Sequence, residues 1–309
     1  NILYNLMLTF LEKERLCESE FENSGPFWHL YTDGTRMENI FTSEEEFDIA
    51  MAILAVSCVF DPSVQLVTFQ LMNNHIHLVL AGERDRCLAL FERFKQHLVK
   101  VYGRRKSTID WTEFQAEILS INDLRSLRNE IIYTNRNAFV ADPSYTPFSY
   151  PWGGGCAYFS PILNQLPARS VKELGLTKAR RLTHCRDLEG LENLKFVGET
   201  VFVPSFCSID LGERMFHDAR TYFNLLTRNA EAFSQIAARL KDKVFMTDDE
   251  IYAIAVRYAE DKYNCRLAML TPESKIQLSK HLHFKYNASN QQLRRILKMD
   301  INILNEMFP

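Results

Sequence analysis

Apolar and polar residues follow two different periods along the first half of the chain. Runs with the period of a strand lie at 27–32, 64–72, 75–80 and about 114–119, and runs with the period of a helix lie at 43–59, 85–102 and about 122–138. Asn73-Asn74 predicts a tight turn that joins the second and third strands as a β-hairpin. The pattern therefore predicts a mixture of strands and helices.

The order of these elements predicts the fold class. Strand, helix, two hairpin strands, helix and strand form a split βαβ arrangement, so we expect an α+β domain of ferredoxin-like type, with helices on one face of an antiparallel sheet. The other face could stay open to a ligand. We divide the chain into a lead-in helix at 1–24, this α+β domain at 25–160, a linker and helical region with a hairpin around Gly198 at 161–240, and a helical C-terminal module at 241–309.

The third strand carries two histidines one residue apart, His75 and His77. Side chains alternate along a strand, so both imidazoles should point to one face while Ile76, Leu78 and Leu80 point to the core. Two neutral imidazoles at this separation can bind one divalent cation. The pair is therefore a candidate metal site.

The helix at about 122–138 carries a second candidate. Leu124, Leu127 and Ile131 lie at helical spacing and predict its buried side. Tyr133 lies about half a revolution from Leu124 and should face outward, and Asn137, four residues later, should share its face. A tyrosine that stands alone in such a helix is more often a half-buried packing residue.

Composition limits the class of protein. The chain has 309 residues, and its seven cysteines are scattered without a C-x-x-C pair. This favours buried thiols in a reducing cytoplasm over a disulfide framework or a zinc-thiolate site. No apolar run approaches the length of a membrane span, and 1–11 lacks a basic leader, so we expect a cytoplasmic protein with no membrane partner.

The basic residues are concentrated in two stretches that contain no acid, at 93–106 and 274–299, although the formal net charge is -3. The first stretch contains Arg93, Lys95, Lys100, Arg104, Arg105 and Lys106. The second resembles a helix-turn-helix with Asn287-Ala288 at the turn, and its side chains available to a DNA groove are Gln291, Gln292, Arg294, Arg295 and Lys298. A solvated helix face or a plain helical bundle is an equally open interpretation.

Three motifs in fixed order resemble a known family. The segment 71–80, LMNNHIHLVL, is similar to the L-M-P-N-H-V-H-L-L motif of the HUH single-tyrosine transposases. The segment 133–137 is similar to their Y-I-H-L-N-P segment. Tyr150-Pro151-Trp152 is similar to the Y-P-W-S-S-Y that follows in that family. The closest branch is the REP-associated tyrosine transposases, and the resemblance covers about 27–159. The chain departs from the family in having Asn73 and Ala138 where Pro is usual, and Gly153-Gly154 in place of Ser-Ser.

The resemblance implies a function. In that family the two histidines and a polar residue four positions after the tyrosine, here Asn137, bind Mg²⁺ or Mn²⁺, and the tyrosine, here Tyr133, attacks a DNA phosphate. It implies metal-dependent nicking and rejoining of single-stranded or hairpin DNA through a 5′-phosphotyrosine, with Arg136 among the DNA contacts and a monomer slightly favoured over a homodimer. Imidazole ligands suit Mn²⁺ better than Mg²⁺, which prefers oxygen.

Two other functions stay open. A chain that keeps these residues without the activity would be a non-catalytic regulator that binds hairpin DNA. A His-x-His strand also occurs in cupin-like metalloproteins, with Glu83 as the third ligand here, but such proteins consist mostly of strands. Nicking of a labelled single-stranded oligonucleotide would separate the enzyme from the binder.

Overall fold

The computed structural model describes residues 9–34, 36–102, 109–137, 146, 148–228, 248–286 and 288–308. The chain forms two compact units, 1–227 and 228–309. The boundary between them lies inside the region 161–240 that the sequence predicts as linker and helices. Among the described residues, none of the helices combines the length and the apolar character that a membrane crossing requires.

The first unit is built around a four-stranded antiparallel sheet. Its first elements are α1 (Phe10–Ser24), β1 (Phe27–Thr32), α2 (Glu44–Val59), β2 (Gln65–Leu71), β3 (Ile76–Ala81), α3 (Arg84–Tyr102), β4 (Ala116–Ile121) and α4 (Leu124–Arg136). The strands lie in the order β2-β3-β1-β4, and each neighbouring pair is antiparallel. The predicted α+β class with an antiparallel sheet is confirmed.

The N-terminal helix α1 starts at a capping box, in which the Thr9 side chain accepts from the amide of Glu12 and the Glu12 side chain accepts from the amide of Thr9. Phe10 and Leu11, two of the apolar residues that predict this helix, are exposed. The other two, Leu3 and Leu6, lie outside the described residues. Further along α1, Cys17 is buried and the Phe21 ring stacks on that of Phe27 in β1 with 5.2 Å between centroids, so the helix contacts the rest of the unit through its later turns.

One face of the sheet is apolar. Ile76, Leu78 and Leu80 of β3 are fully buried, as the alternation along the strand predicts. Helix α3 buries the predicted apolar stripe, which comprises Cys87, Leu90, Phe91, Phe94 and Leu98. Helix α2 packs against α3 and β2, and almost every residue of its C-terminal three turns is buried. This layer anchors the strand that carries the histidines.

The other face of the sheet is not open, so this part of the prediction is wrong. Helix α4 packs against β2 and β3 on the face that carries His77. All residues from Glu130 to Asn137 are buried. Only the edge strand β4 is half-buried along most of its length. The candidate residues therefore lie between two packed layers rather than on a free surface.

The rest of the first unit folds around the edge next to β2. It consists of β5 (Arg169–Ser170), α5 (Leu176–Thr183), β6 (Lys195–Val197), β7 (Thr200–Val201), α6 (Ile209–Arg214) and α7 (Ala219–Arg228). The hairpin predicted around Gly198 is present, because β6 pairs with β7 and Gly198 has a φ of 65°. The segment after Tyr150 extends the sheet, since the Leu71 amide donates to the Trp152 carbonyl at 3.0 Å.

The second unit contains α8 (Asp248–Tyr263), α9 (Pro272–Tyr286), α10 (Asn290–Leu297) and α11 (Ile301–Met307). Its apolar core joins residues from all four helices, including Ile251 and Ala255 of α8 with Leu282, Leu293 and Leu304. All the residues of this core lie within 241–309.

Candidate functional site

The site is centred on a row of four side chains that crosses the sheet on one face. His77 lies opposite Gln70 on one side and Tyr31 on the other, and Tyr31 lies opposite Glu117. Residues paired across an antiparallel sheet point to the same face. The Tyr31 hydroxyl donates to Glu117 Oε2 at 2.7 Å. A polar row in the middle of a packed sheet is costly to bury unless its members find hydrogen-bond partners, as Tyr31 and Glu117 do with each other and His77 does with His29.

The two predicted metal ligands lie together. The ring centroids of His75 and His77 are 5.1 Å apart in an edge-to-face arrangement, and the residues are 8% and 1% exposed. His75 Nδ1 lies 2.8 Å from Asn74 Oδ1, and the Asn74 amide donates to the Gly34 carbonyl at 2.7 Å. A Cβ on Gly34 would lie 2.8 Å from His75 Nδ1, so only glycine allows this turn to close over the ring.

Tyr133 is not exposed, and its predicted outward orientation is wrong. The residue is 2% exposed, and its ring centroid lies 5.8 Å from that of His77 and 6.3 Å from that of His29. The error has a physical reason. The side of α4 that faces the sheet is a polar stripe of Glu130 and Tyr133, three residues apart, whereas the apolar stripe packs elsewhere in the unit.

His29 and Glu130 complete this cluster, and the sequence did not single them out. His29 Nδ1 lies 2.7 Å from Glu130 Oε2, and His29 Nε2 lies 3.1 Å from His77 Nδ1. His29 is 0% exposed and Glu130 is 1% exposed. One feature of the sequence could have identified His29. His29 and Tyr31 lie two residues apart in β1, as His75 and His77 do in the hairpin, so both side chains of β1 point to one face of the sheet.

Asn137, the third predicted ligand, is the C-cap residue of α4 and is buried. It lies four residues after Tyr133, which is about 40° around the helix, so it belongs to the stripe that faces the sheet. Arg136, predicted as a DNA contact, is 7% exposed. A side chain buried to this extent does not present its guanidinium on the described surface, so that assignment is not favoured.

A buried hydrogen-bond chain fixes the C-terminal half of α4. Asn135 accepts from the Thr68 hydroxyl of β2 and donates to the Tyr222 hydroxyl of α7 at 2.9 Å. At the other end of the helix, Arg128 donates to both carboxylate oxygens of Glu14 at 2.9 Å. These contacts hold α4 from two directions, so the orientation of Tyr133 is set by residues distant from it in the chain.

Gly153-Gly154, which departs from the family pattern, packs against β2. A Cβ on Gly153 would overlap Gln70 Oε1, and a Cβ on Gly154 would overlap Thr68 Oγ1. The Gly154 amide also donates to the Phe69 carbonyl at 2.8 Å. The close approach of this segment to β2 therefore requires glycine at both positions.

The other tyrosines of the segment after α4 have structural roles. Tyr150 donates its hydroxyl to the Leu71 carbonyl at 2.7 Å, and Tyr158 donates to the Val67 carbonyl at 2.9 Å. Burial raises the pKa of Tyr158 well above its usual value. Tyr145 lies outside the described residues. Hydroxyls that bond to strand carbonyls stabilise the fold and are poorly placed to attack a substrate.

The first basic stretch is only partly available. Arg93 donates to the Ser57 carbonyl at 3.1 Å and lies 3.9 Å from Asp61, whereas Lys95 is half-buried and Lys100 is exposed. Arg104, Arg105 and Lys106 lie outside the described residues. Asp61, the acid that adjoins Arg93, lies outside the stretch 93–106. The sequence of the stretch alone therefore does not reveal that one of its charges is partly compensated.

The candidate recognition helix α10 presents part of the predicted set. Arg295 is bound to both oxygens of Asp248, at 2.5 and 2.9 Å, and the Gln292 side chain accepts from the Ser289 amide in a capping box. Gln291, Arg294 and Lys298 are exposed. They lie at i, i+3 and i+7, so they share the side of α10 opposite Leu293 and Leu297, which are buried.

The donor set of the histidine pair fits a divalent transition-metal ion. Nδ1 of each ring faces a polar partner, Asn74 for His75 and His29 for His77, so an ion held by this pair would bind at Nε2. Two nitrogens with an amide oxygen favour Mn²⁺ over Mg²⁺. Glu83 cannot complete the pair, because it follows the far end of β3, and His77 to Ala81 alone spans about 13 Å. The cupin-like alternative is therefore not retained.

A second group of potential ligands lies beside α1. Within the described part of the chain, Glu14, Cys17 and His217 are the one cluster of His, Cys, Asp or Glu side chains whose ligand atoms all lie within 4.8 Å. The Glu14 carboxylate, however, is bonded to Arg128 and His217, and the hydrogen bonds from Arg128 lower its pKa. Burial raises the pKa of the Cys17 thiol. Glu14 and Arg128 thus form an ion pair that attaches α1 to α4.

The cysteines are consistent with the expected buried thiols. All seven are free, and four of them, Cys17, Cys58, Cys87 and Cys207, are buried. Burial raises the pKa of Cys58 and of Cys87 to about 12, which keeps both as thiols at neutral pH.

Comparisons with protein-family models, with curated proteins and with solved structures found no match to this chain. The geometry of the site therefore carries the functional argument.

Proposed function

We propose that this protein nicks and rejoins single-stranded or hairpin DNA by metal-dependent transesterification through Tyr133, as a transposase of the HUH single-tyrosine type. The observation that carries the proposal is the meeting of Tyr133 with His77, 5.8 Å between ring centroids, with His75 a further 5.1 Å away. Two motifs 56 residues apart in sequence thus lie next to each other, which supports the proposal.

We also propose that 25–160 is a ferredoxin-like split βαβ domain. The element order β-α-β-β-α-β with the sheet order β2-β3-β1-β4 supports this. In such a domain the hairpin strand β3 is central, so its polar face lies under the helix that follows β4. This places nucleophile and ligands on opposite layers, facing each other.

The reaction proceeds in two balanced steps. The Tyr133 oxygen attacks a backbone phosphorus, the bond from phosphorus to the 3′ oxygen breaks, the phenolic proton is released and the leaving oxygen takes up a proton as a 3′-OH. A 3′-OH then attacks the phosphorus of the 5′-phosphotyrosine and loses its proton. The bond from phosphorus to the Tyr133 oxygen breaks, the phenol takes up a proton, and the phosphodiester is restored. The number of phosphodiester bonds is conserved, so no ATP is required.

His75, His77 and Asn137 would hold the divalent ion. When bound, Mn²⁺ or Mg²⁺ would polarise the phosphoryl oxygen and neutralise the charge that repels a nucleophile, an effect worth several kcal/mol. The residues of the chain supply orientation. Asn135 and Glu130 fix α4 against the sheet, and the Tyr133 ring lies beside those of His29 and His77.

The decisive experiment uses a hairpin-bearing single strand labelled at each end in separate reactions, with Mn²⁺ and with a chelator. We expect a covalent protein–DNA adduct that carries the label of the 3′ part, and a free 3′-OH fragment, only when the metal is present. Binding of the strand without either product would assign the non-catalytic function.

That non-catalytic function, a hairpin-DNA-binding regulator, is the second candidate. The observation that favours it is the burial of Tyr133, which is 2% exposed, because a nucleophile must reach a phosphate. Access of a phosphate to Tyr133 would then require a local displacement when DNA binds. The nicking assay distinguishes the two functions directly.

We further propose that α9 and α10 form a helix-turn-helix that contacts DNA through Gln291, Arg294 and Lys298. The exposure of these side chains on one side of α10 supports this. Arg294→Gln should weaken binding of duplex or hairpin DNA and reduce the slope of log affinity against log salt by about one.

The matched control is Arg295→Gln, one residue further along the same helix. It removes the same charge from a side chain already paired with Asp248. We expect a smaller change in salt dependence than for Arg294→Gln, together with a lower unfolding temperature. Equal salt slopes for the wild type and Arg294→Gln would exclude α10 as the DNA contact.

A further inference from the structure

We infer that Glu130 and His29 form a positioning relay that fixes the ring tautomer of His77 and so directs its Nε2 lone pair to the ion. The inference about the metal rests on the proposed function, whereas the inference about the tautomer does not. The relay is a continuous chain of contacts from Glu130 Oε2 to His29 Nδ1 at 2.7 Å and from His29 Nε2 to His77 Nδ1 at 3.1 Å.

The direction of the hydrogen bonds follows from the chemistry of the first member. With Glu130 as a carboxylate, which only accepts hydrogen bonds, His29 donates from Nδ1. With His29 as a neutral imidazole, its Nε2 is then the acceptor and takes a hydrogen bond from its partner. That partner is His77 Nδ1, which therefore carries the hydrogen. His77 Nε2 is left with a lone pair, which is the form that binds a metal.

Burial makes the relay specific. His29 and Glu130 are 0% and 1% exposed, and a buried carboxylate without a donor would be strongly destabilising. The two residues come from β1 and α4, 101 positions apart in sequence. Because Glu130 also precedes Tyr133 by one helical turn, the contact that orients His77 sets the position of α4, and hence of Tyr133, relative to the strand.

The tautomer of His75, the other histidine of the pair, is set by a single neighbour. His75 Nδ1 lies 2.8 Å from Asn74 Oδ1, and Asn74 is oriented by donation of its amide to Gly34 and, more weakly, to Met37. An amide oxygen accepts, so His75 also carries its hydrogen on Nδ1. Both imidazoles are thus set in one tautomer by neighbours that are not ligands, as is usual for metal-binding histidines.

The test reads the tautomers directly in the metal-free full chain, from two-bond ¹H–¹⁵N correlations of ¹⁵N-histidine-labelled protein. We expect His77 to carry its hydrogen on Nδ1 in the wild type. His29→Leu removes the acceptor and should shift His77 towards a mixture of both forms. His29→Gln keeps an acceptor oxygen on a side chain of similar length and should retain more of the Nδ1 form.

Glu130→Gln is the second variant, because an amide can donate as well as accept and no longer forces the direction of the chain. We expect loss of the single tautomer in His77 and weakening of Mn²⁺ binding by about 10- to 100-fold, measured by the paramagnetic resonance signal of free Mn²⁺. His97→Leu is the control, since His97 bonds only to the His184 carbonyl in the contacts described for it and lies outside the relay. It should leave the tautomer of His77 unchanged.

A wild-type His77 with its hydrogen on Nε2 would overturn the relay, whatever the protein does to DNA. A wild-type His77 in the Nδ1 form that binds no Mn²⁺ would leave the relay standing and count against the proposed function. If His29→Leu does not fold, the wild-type spectrum together with Glu130→Gln still decides the inference.

Discussion

Tyr133→Phe is expected to abolish the covalent protein–DNA adduct, with a loss of nicking rate of at least about 10³-fold, the scale seen when an enzyme loses its nucleophile. The variant removes one oxygen and keeps the ring that packs against His77 and His29. We therefore expect an unchanged fold, an unchanged affinity for the hairpin strand and only a small change in unfolding temperature. The measurement is gel detection of the adduct after incubation with Mn²⁺.

Tyr31→Phe is the matched control for this experiment. The Tyr31 ring stacks on His77 with 6.5 Å between centroids, so it is the other phenol that adjoins the candidate ligands. Its hydroxyl, however, donates to Glu117, and the variant should retain the adduct. Adduct formation by Tyr133→Phe at the wild-type rate, or its loss in Tyr31→Phe alone, would show that the nucleophile is misassigned.

The strand pattern alone was sufficient to predict that His75 and His77 lie together. His77 lies in β3, whereas His75 immediately precedes the strand, where the Met72 amide donates to the His75 carbonyl at 2.9 Å and so continues the hairpin. Ile76, Leu78 and Leu80 are buried on the other face as expected. The α+β class and the hairpin around Gly198 follow from signals equally local to the chain. These features depend on residues within a few positions of one another.

The environment of α4 could not be predicted in the same way. An apolar stripe identifies a buried side of a helix, but it does not exclude a second buried side made of polar residues. The polar stripe of Glu130 and Tyr133 is buried because His29, a distant residue, matches it. The pairing of Arg295 in α10 could not be predicted for the same reason, because its partner Asp248 belongs to another helix.

His75→Asn with His77→Asn is expected to lower Mn²⁺ affinity by more than about 100-fold and to abolish metal-dependent nicking, because it removes two direct ligands, whereas loss of a supporting contact alone costs about 10- to 100-fold. Asparagine places its amide where the Nδ1–H of histidine lies. The double variant therefore keeps donors towards Asn74 and His29 while it removes both Nε2 atoms. The fold, followed by unfolding temperature, should be largely retained.

Alanine would be the wrong substitution for this experiment. His77 is 1% exposed, so His77→Ala would leave a cavity and remove the partner of a buried His29 nitrogen, at a cost of about 2–4 kcal/mol. Loss of activity in that variant could then reflect unfolding. Cys17→Ser supplies the second control, because it alters the Glu14, Cys17 and His217 cluster. Loss of Mn²⁺ binding there, with binding kept in the double asparagine variant, would place the ion beside α1 and contradict the assignment of the histidine pair.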